Sequence, residues 1–191
     1  MSNTQPAGNE RFAIRGPFIT FNNNPFSVGD ENALVHESDG LIIINDGTIE
    51  YAGAYSDGAS RLEGCEVKSF PNHLITPGFI DTHVHYPQLP IIGAYGAQLI
   101  DWLNTYTFVA EQRYDDLEYA GQVSRIFLDE LARNGTTTAA VYCTVHPNSV
   151  EAFFQEAHAR RLRMIAGKML MDRNAPEALQ DTAQSGYDDS L

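Results

Sequence analysis

Pro77-Gly78-Phe79-Ile80-Asp81-Thr82-His83-Val84-His85-Tyr86-Pro87-Gln88 is the stretch that decides the fold. An apolar run, Leu74 to His83, is interrupted by Pro77-Gly78 and ends in His-x-His. On a strand, side chains two apart share a face, so His83 and His85 can converge on one ion from a strand end. Zinc accepts neutral imidazole at about 2.0–2.1 Å, and strand C-termini are where barrel enzymes carry their chemistry. A His-x-His pair also occurs on strands with no metal. Asp81 beside it suits a solvated or capping role as well as a ligand role.

Working outward, the chain changes character near residue 75. Before it, apolar stretches alternate with turns. Phe12 to Phe21 reads as a strand broken at Gly16-Pro17, and Glu66 to Phe70 as another. Leu41 to Asn45 and Thr48 to Tyr51 flank Asp46-Gly47, a hairpin signal because Asp-Gly supplies positive φ angles between β-rich runs. Residues 1–75 are therefore expected to form part of a small β-sandwich subdomain.

Residues 76–191 read as β/α units. Ala97 to Thr107 suits a short helix. Leu117, Ala120, Ser124, Phe127, Leu128 and Leu131 recur at helical spacing, with Asp115 and Glu118 as a capping pair and Asn134-Gly135 as a stop. Thr136 to Val141 is a buried strand. Asn148-Ser149-Val150-Glu151 resembles a capping box for a helix whose apolar face is Val150, Phe153, Phe154 and Ala157. Arg163 to Met171 is a third strand, and Pro176 to Leu191 begins a further helix. Strands alternating with helices pair in parallel, so the expected fold class is α/β.

Composition narrows the function. The 191 residues carry 12 basic and 25 acidic side chains, a formal charge of −13. Phosphate backbones are held mainly by Lys and Arg, so nucleic acid and anionic membrane surfaces are not expected partners. With 43% hydrophobic and 19% charged residues, the mix is that of a globular protein. A full barrel takes roughly 250 residues, more than this chain has. Cys65 and Cys143 lie far apart with no C-x-x-C, which excludes a disulfide framework and an all-cysteine zinc site. Residues 1–11 are polar with no apolar core of a signal peptide, and no apolar run approaches membrane length. A cytoplasmic protein is the expectation.

The small β-subdomain, the Pro77–His85 string and the β/α units together resemble the amidohydrolase superfamily. Within it the chain is similar to the guanine deaminases. The segments that carry the likeness are Tyr86-Pro87-Gln88, Gly93-Ala94-Tyr95-Gly96, Leu103-Asn104 with Thr107-Phe108, Asp116 to Ala120, Asn134 to Ala139, Ala166-Gly167-Lys168 and Met171-Asp172-Arg173-Asn174. The likeness runs from about residue 10 onward and is densest after residue 75.

What the resemblance implies is specific. The fold is an incomplete TIM-like (β/α)8 barrel. His83 and His85 are ligands of one zinc ion per complete subunit, and His85, Tyr86, Pro87 and Gln88 contact or line the purine site. Trp102 matches a tryptophan close to the pocket; an aromatic that docks its helix on the barrel is the competing reading. The implied reaction is hydrolytic deamination of guanine to xanthine and ammonia in purine catabolism, by a homodimer in the full-length form. The third and fourth histidines, the proton-shuttling glutamate and the aspartate ligand of the family come from later strands. No catalytic residue is therefore expected within this chain; these groups are expected after Leu191. Glu111 and Glu118 read as residues at or before a surface helix start.

Other candidates rank lower. Lys168 reads as mid-strand on the third strand, whereas carbamylated lysines of the superfamily lie on the fourth. His146, just before Pro147, suits the pocket or the start of a helix. The His-x-Glu with Pro-Cys-x-x-Cys signature of the other zinc deaminases is absent. Two rival functions stand: a different aminohydrolase or chlorohydrolase of the same superfamily, and a non-catalytic fragment.

Overall fold

The computed structural model describes residues 11–191; the polar stretch 1–10, including most of the segment read for a leader, lies outside the described residues. The chain divides into two compact units, Met1–Pro77 and Gly78–Leu191.

The first unit is a four-stranded sheet in the order β3-β2-β1-β4. Strand β1 (Arg11–Phe21) pairs antiparallel with β2 (Leu34–Asn45) and parallel with β4 (Glu66–Ser69). Its register slips between Gly16 and Phe18, where Pro17 lacks a donor N–H. The hairpin from β2 to β3 (Thr48–Ala54) turns at Asp46 and Gly47, with φ of 47° and 77°. Both central residues are left-handed, the condition of a tight hairpin whose twist matches its strands. Ala13, Leu41 and Ile43 form the buried centre, flanked by Tyr51, Tyr55, Leu62 and Cys65.

The second unit has a parallel sheet in the order β5-β6-β7, formed by Phe79–His85, Thr136–Tyr142 and Arg163–Gly167. Helices connect successive strands, giving three consecutive β/α steps. Between β5 and β6 runs a 3₁₀ segment (Tyr86–Ile91), then α1 (Leu99–Trp102), a π-helical stretch (Leu103–Thr107), α2 (Phe108–Glu111) and α3 (Leu117–Arg133). The predicted helix from Ala97 thus starts two residues later and continues to Glu111, because Gln98 is extended and Gly96 lies under the Trp102 ring. Helix α4 (Pro147–Ala159) joins β6 to β7, and α5 (Ala183–Asp188) follows.

Four local expectations are corrected. Asp116, not Asp115, caps α3: its Oδ1 accepts from the backbone N–H groups of Glu118 and Tyr119 at 2.9 and 3.2 Å. No capping box opens α4. Pro147 supplies the first turn, and Ser149 Oγ instead accepts from Thr144 N–H and donates to the His146 carbonyl. The buried side of α4 is Ala152, Phe153 and Ala157, while Phe154 is exposed. Strand β7 ends at Gly167, so Lys168 is past the strand rather than within it, as the Met169 N–H turns to the Thr144 carbonyl.

The core of this unit lies between sheet and helices: Tyr86, Tyr114, Phe127, Leu128, Ala139, Val141 and Phe153. The other side of the sheet is open; Ile165 there is 66% exposed. No helix among the described residues is long and apolar enough to cross a membrane.

Candidate active site

His83 and His85 close β5, on the same side of the strand, with ring centroids 5.2 Å apart. Asp81 does not join them as a third ligand: its Oδ1 accepts from the His83 backbone N–H at 3.0 Å, so it shapes the strand end. His85 lies opposite Tyr142 in the parallel register, and the two rings stack at 4.6 Å with 11° between planes. Tyr142 also lies 4.9 Å from the His83 ring. Tyr142 escaped the sequence reading. The period-2 pattern of Thr136 to Tyr142, continued one residue past Val141, would have placed it on the histidine face.

Burial, and then the neighbouring His83, hold the His85 imidazole below the usual histidine range. A neutral imidazole is the form that binds a metal. His85 Nδ1 is buried and has no hydrogen-bond partner among the described residues. An orphaned ring nitrogen next to a second imidazole fits a pair of metal ligands. No cluster of three or more candidate ligands occurs among the described residues.

The 3₁₀ segment after β5 is tied down from both sides. Tyr86 Oη donates to the Ser149 carbonyl at 2.7 Å, and Tyr114 Oη donates to the Pro87 carbonyl at 3.1 Å. The two rings meet edge to face at 5.2 Å, and Tyr86 packs on Phe153 at 5.3 Å. Tyr86 is fully buried in this core and Pro87 is buried beside it. This places Tyr86 behind the segment, where it anchors the backbone. Gln88 is half-buried and lies near the Glu111 carboxyl group, whose pKa it lowers.

Glu111 is the second residue missed. It is 4% exposed, and burial pushes its carboxyl group up to about 7 despite the Gln88 contact. Thr107, Ala110, Glu111 and Tyr114 are all buried. Their i, i+3, i+4, i+7 spacing was the available signal that Glu111 belongs to an inward helical face.

Trp102 Nε1 donates to the Ala94 carbonyl at 3.0 Å, and its ring covers Gly96. It holds the Gly93–Gly96 loop. His146 sits before α4 with Nε2 buried and without a hydrogen-bond partner among the described residues; burial lowers its pKa, and Asp115 lies 3.8 Å from Nδ1. Lys168 is bound by Asp181 at 3.0 Å and Asp189 at 3.2 Å, which accounts for its ammonium group.

The amidohydrolase family profile matches residues 74–190. This chain belongs to the amidohydrolase family. Its similarity to individual members is closer still. It is 48% identical to the guanine deaminase of Escherichia coli over 93% of the chain and 41% of that protein. The crystal structure of guanine deaminase from Bradyrhizobium japonicum superimposes with a TM-score of 0.85 at 39% identity, over 95% of this chain and 40% of that one. Guanine deaminase from C. acetobutylicum, with guanine bound in its active site, gives 0.77 at 26% identity, over 94% of this chain and 41% of that one. The chain therefore spans about two fifths of the length of these relatives.

Proposed function

We propose that these residues form the first part of a zinc-dependent guanine deaminase, which hydrolyses guanine to xanthine and ammonia. The observation that carries the reading is the 48% identity to a guanine deaminase across a segment that ends one strand in paired imidazoles and sets Gln88 three residues on.

His83 and His85 would hold the zinc, with the orphaned His85 Nδ1 as the clearest free donor. A zinc ion so held supplies water activation, lowering its pKa to near neutrality. Hydrolysis forms a bond from water oxygen to C2 of the purine and breaks the bond from C2 to the exocyclic amine, which leaves as ammonia. The leaving amine and a ring nitrogen must each gain a proton. We assign those transfers to residues outside this segment. The share of this chain is binding and orientation. The Gln88 carboxamide has donors at one end and an acceptor at the other, so it can pair with an adjacent donor and acceptor on a purine edge. Analogues lacking those groups leave the amide unpaired, which is a strong basis for discrimination. Tyr86 and Tyr114 steady Gln88 by tying down the two residues that precede it, Tyr86 to the Ser149 carbonyl and Pro87 through its own carbonyl.

The test is a substrate panel on the full-length protein. Guanine is expected to be turned over, with adenosine and s-triazines poor substrates; activity on either of these with none on guanine would reverse the assignment. His83→Ala and His85→Ala are each expected to abolish turnover and lower zinc content, and full zinc occupancy in both variants would remove the metal role. Gln88→Ala is expected to lower kcat/KM for guanine by about ten- to a thousandfold with zinc retained. An unchanged value would place Gln88 outside the pocket.

A further inference from the structure

Tyr142 ends β6, the central strand of the β5-β6-β7 sheet, so its strand is paired on both sides. Its register partner on β5 is His85, and its partner on β7 is Gly167, which has no side chain. Residues opposite each other in register share a face of the sheet, so the tyrosine meets a partner side chain only on the histidine side. There its ring stacks on His85, with centroids 4.6 Å apart and 11° between planes, and lies 4.9 Å from His83 at 52°. One aromatic ring thus touches two imidazoles whose own planes differ by 58°.

The nitrogen lone pairs of an imidazole lie in the plane of its ring, so the ring binds a metal only when that plane points at it. A metal-bound histidine is normally turned into place by a hydrogen bond from its second ring nitrogen. His85 Nδ1 has no hydrogen-bond partner among the described residues, and the contact that fixes the ring is the face of Tyr142. Near-parallel stacking at this spacing is attractive and depends on geometry. Turning the imidazole about its Cβ–Cγ bond would drive an edge into the tyrosine ring. Resting on the reading that His83 and His85 hold zinc, we propose that Tyr142 is a positioning residue that sets the plane of the His85 ring and its angle to His83. Tyr142 touches the ligands and no reacting atom, so its effect falls on metal affinity and coordination geometry. The flat face of the side chain does this, without the hydroxyl group. Phenylalanine therefore serves in its place and an aliphatic side chain does not.

Two measurements on variants of the full-length protein test this: zinc affinity, by competition with a chelator, and the visible absorption of the Co²⁺ form. Tyr142→Ala is expected to weaken zinc binding about ten- to a hundredfold, as when a group that orients a metal-bound histidine is removed. It should also shift the Co²⁺ bands, which report the arrangement of the ligands. Tyr142→Phe is expected to stay within about twofold of the unsubstituted protein, with an unchanged spectrum. Tyr142→Leu keeps much of the bulk without a flat face, which separates stacking from packing should the alanine variant not fold; it is expected to lose affinity as Tyr142→Ala does. Unchanged affinity and spectrum in Tyr142→Leu, or a loss in Tyr142→Phe as large as in Tyr142→Leu, overturns the positioning role. The histidine variants distinguish that failure from failure of the metal reading. Zinc lost in His85→Ala but held normally in Tyr142→Leu overturns the positioning role alone. Full zinc affinity in both His83→Ala and His85→Ala overturns the metal reading and this proposal with it.

Discussion

Two single residues carry most of what is distinctive here, and they carry it at a cost to stability. Glu111 has its carboxyl group raised from 4.5 to about 7 by burial. The folded state therefore binds that proton more readily than the unfolded chain. Below pH 4.5 both states hold the proton and there is no penalty. As pH rises from 4.5 to 7 the penalty grows, and above 7 it is complete, on the order of 3 kcal/mol. Glu111→Gln is thus expected to stabilise the full-length protein at pH 8 by about 1–3 kcal/mol, with the gain shrinking as pH falls toward 4.5. Urea unfolding across that range checks it, and a gain that does not vary with pH contradicts the burial argument. A residue that destabilises its own fold near neutrality is a common mark of a site under functional constraint. His85 belongs with it: a half-buried ring with an orphaned nitrogen is poor packing and good ligation. The histidine pair was legible because its spacing has one geometric meaning on a strand. Glu111 was not, because acidic residues near helix ends are usually solvated, and only the buried pattern of its neighbours marks this one as inward.

At the scale of elements, strands and helices were readable wherever a periodic pattern was long. The turn at Asp46-Gly47, α3 and β6 fall within a residue or two of expectation, while the two hairpin strands run longer than expected, from Leu34 and on to Ala54. Boundaries failed where adjacent residues could do the same job. Asp115 and Asp116 both suit a cap; the chain uses Asp116 because Asp115 is still in the preceding 3₁₀ turn, where its carbonyl accepts from Asn148 Nδ2 at 2.6 Å. Asp116→Ala is expected to lower stability by about 1 kcal/mol, whereas Asp115→Ala should stay within about 0.5 kcal/mol. Equal losses in denaturant unfolding would return the cap to Asp115. Family likeness alone suggests Tyr86 and Pro87 as residues beside the purine site, and the fold adds a structural role for Tyr86. A 3₁₀ turn sends successive side chains in different directions, so Tyr86 drops into the core while Gln88 stays at its edge. Tyr86→Phe leaves the Ser149 carbonyl without its buried donor and should cost about 1–3 kcal/mol, with a corresponding rise in KM for guanine as the segment loosens.

For the molecule as a whole, the informative surface is the side of the β5-β6-β7 sheet that faces away from the helices. His83, His85 and Tyr142 gather at one end of it, and Ile165 stands open along it. Both edge strands of this sheet have an unpaired side among the described residues. An apolar face with open edges is a place for further strands to pair, as in a closed barrel. Residues 1–191 in isolation are therefore expected to bind a hydrophobic dye and to self-associate, whereas the full-length protein should do neither. The class of the fold was readable from the alternation of strand and helix patterns; the proposed metal role of His83 and His85 came only through family likeness, since their spacing on a strand also fits a pair with no metal. The central claim is that this segment contributes two metal ligands and a purine-reading glutamine to a site completed elsewhere. Its most direct test is guanine turnover by purified residues 1–191, supplied with stoichiometric zinc, beside the full-length protein under the same conditions. The account predicts xanthine and ammonia from the full-length protein and no measurable turnover from residues 1–191; turnover by the shorter chain within tenfold of the longer one would contradict it.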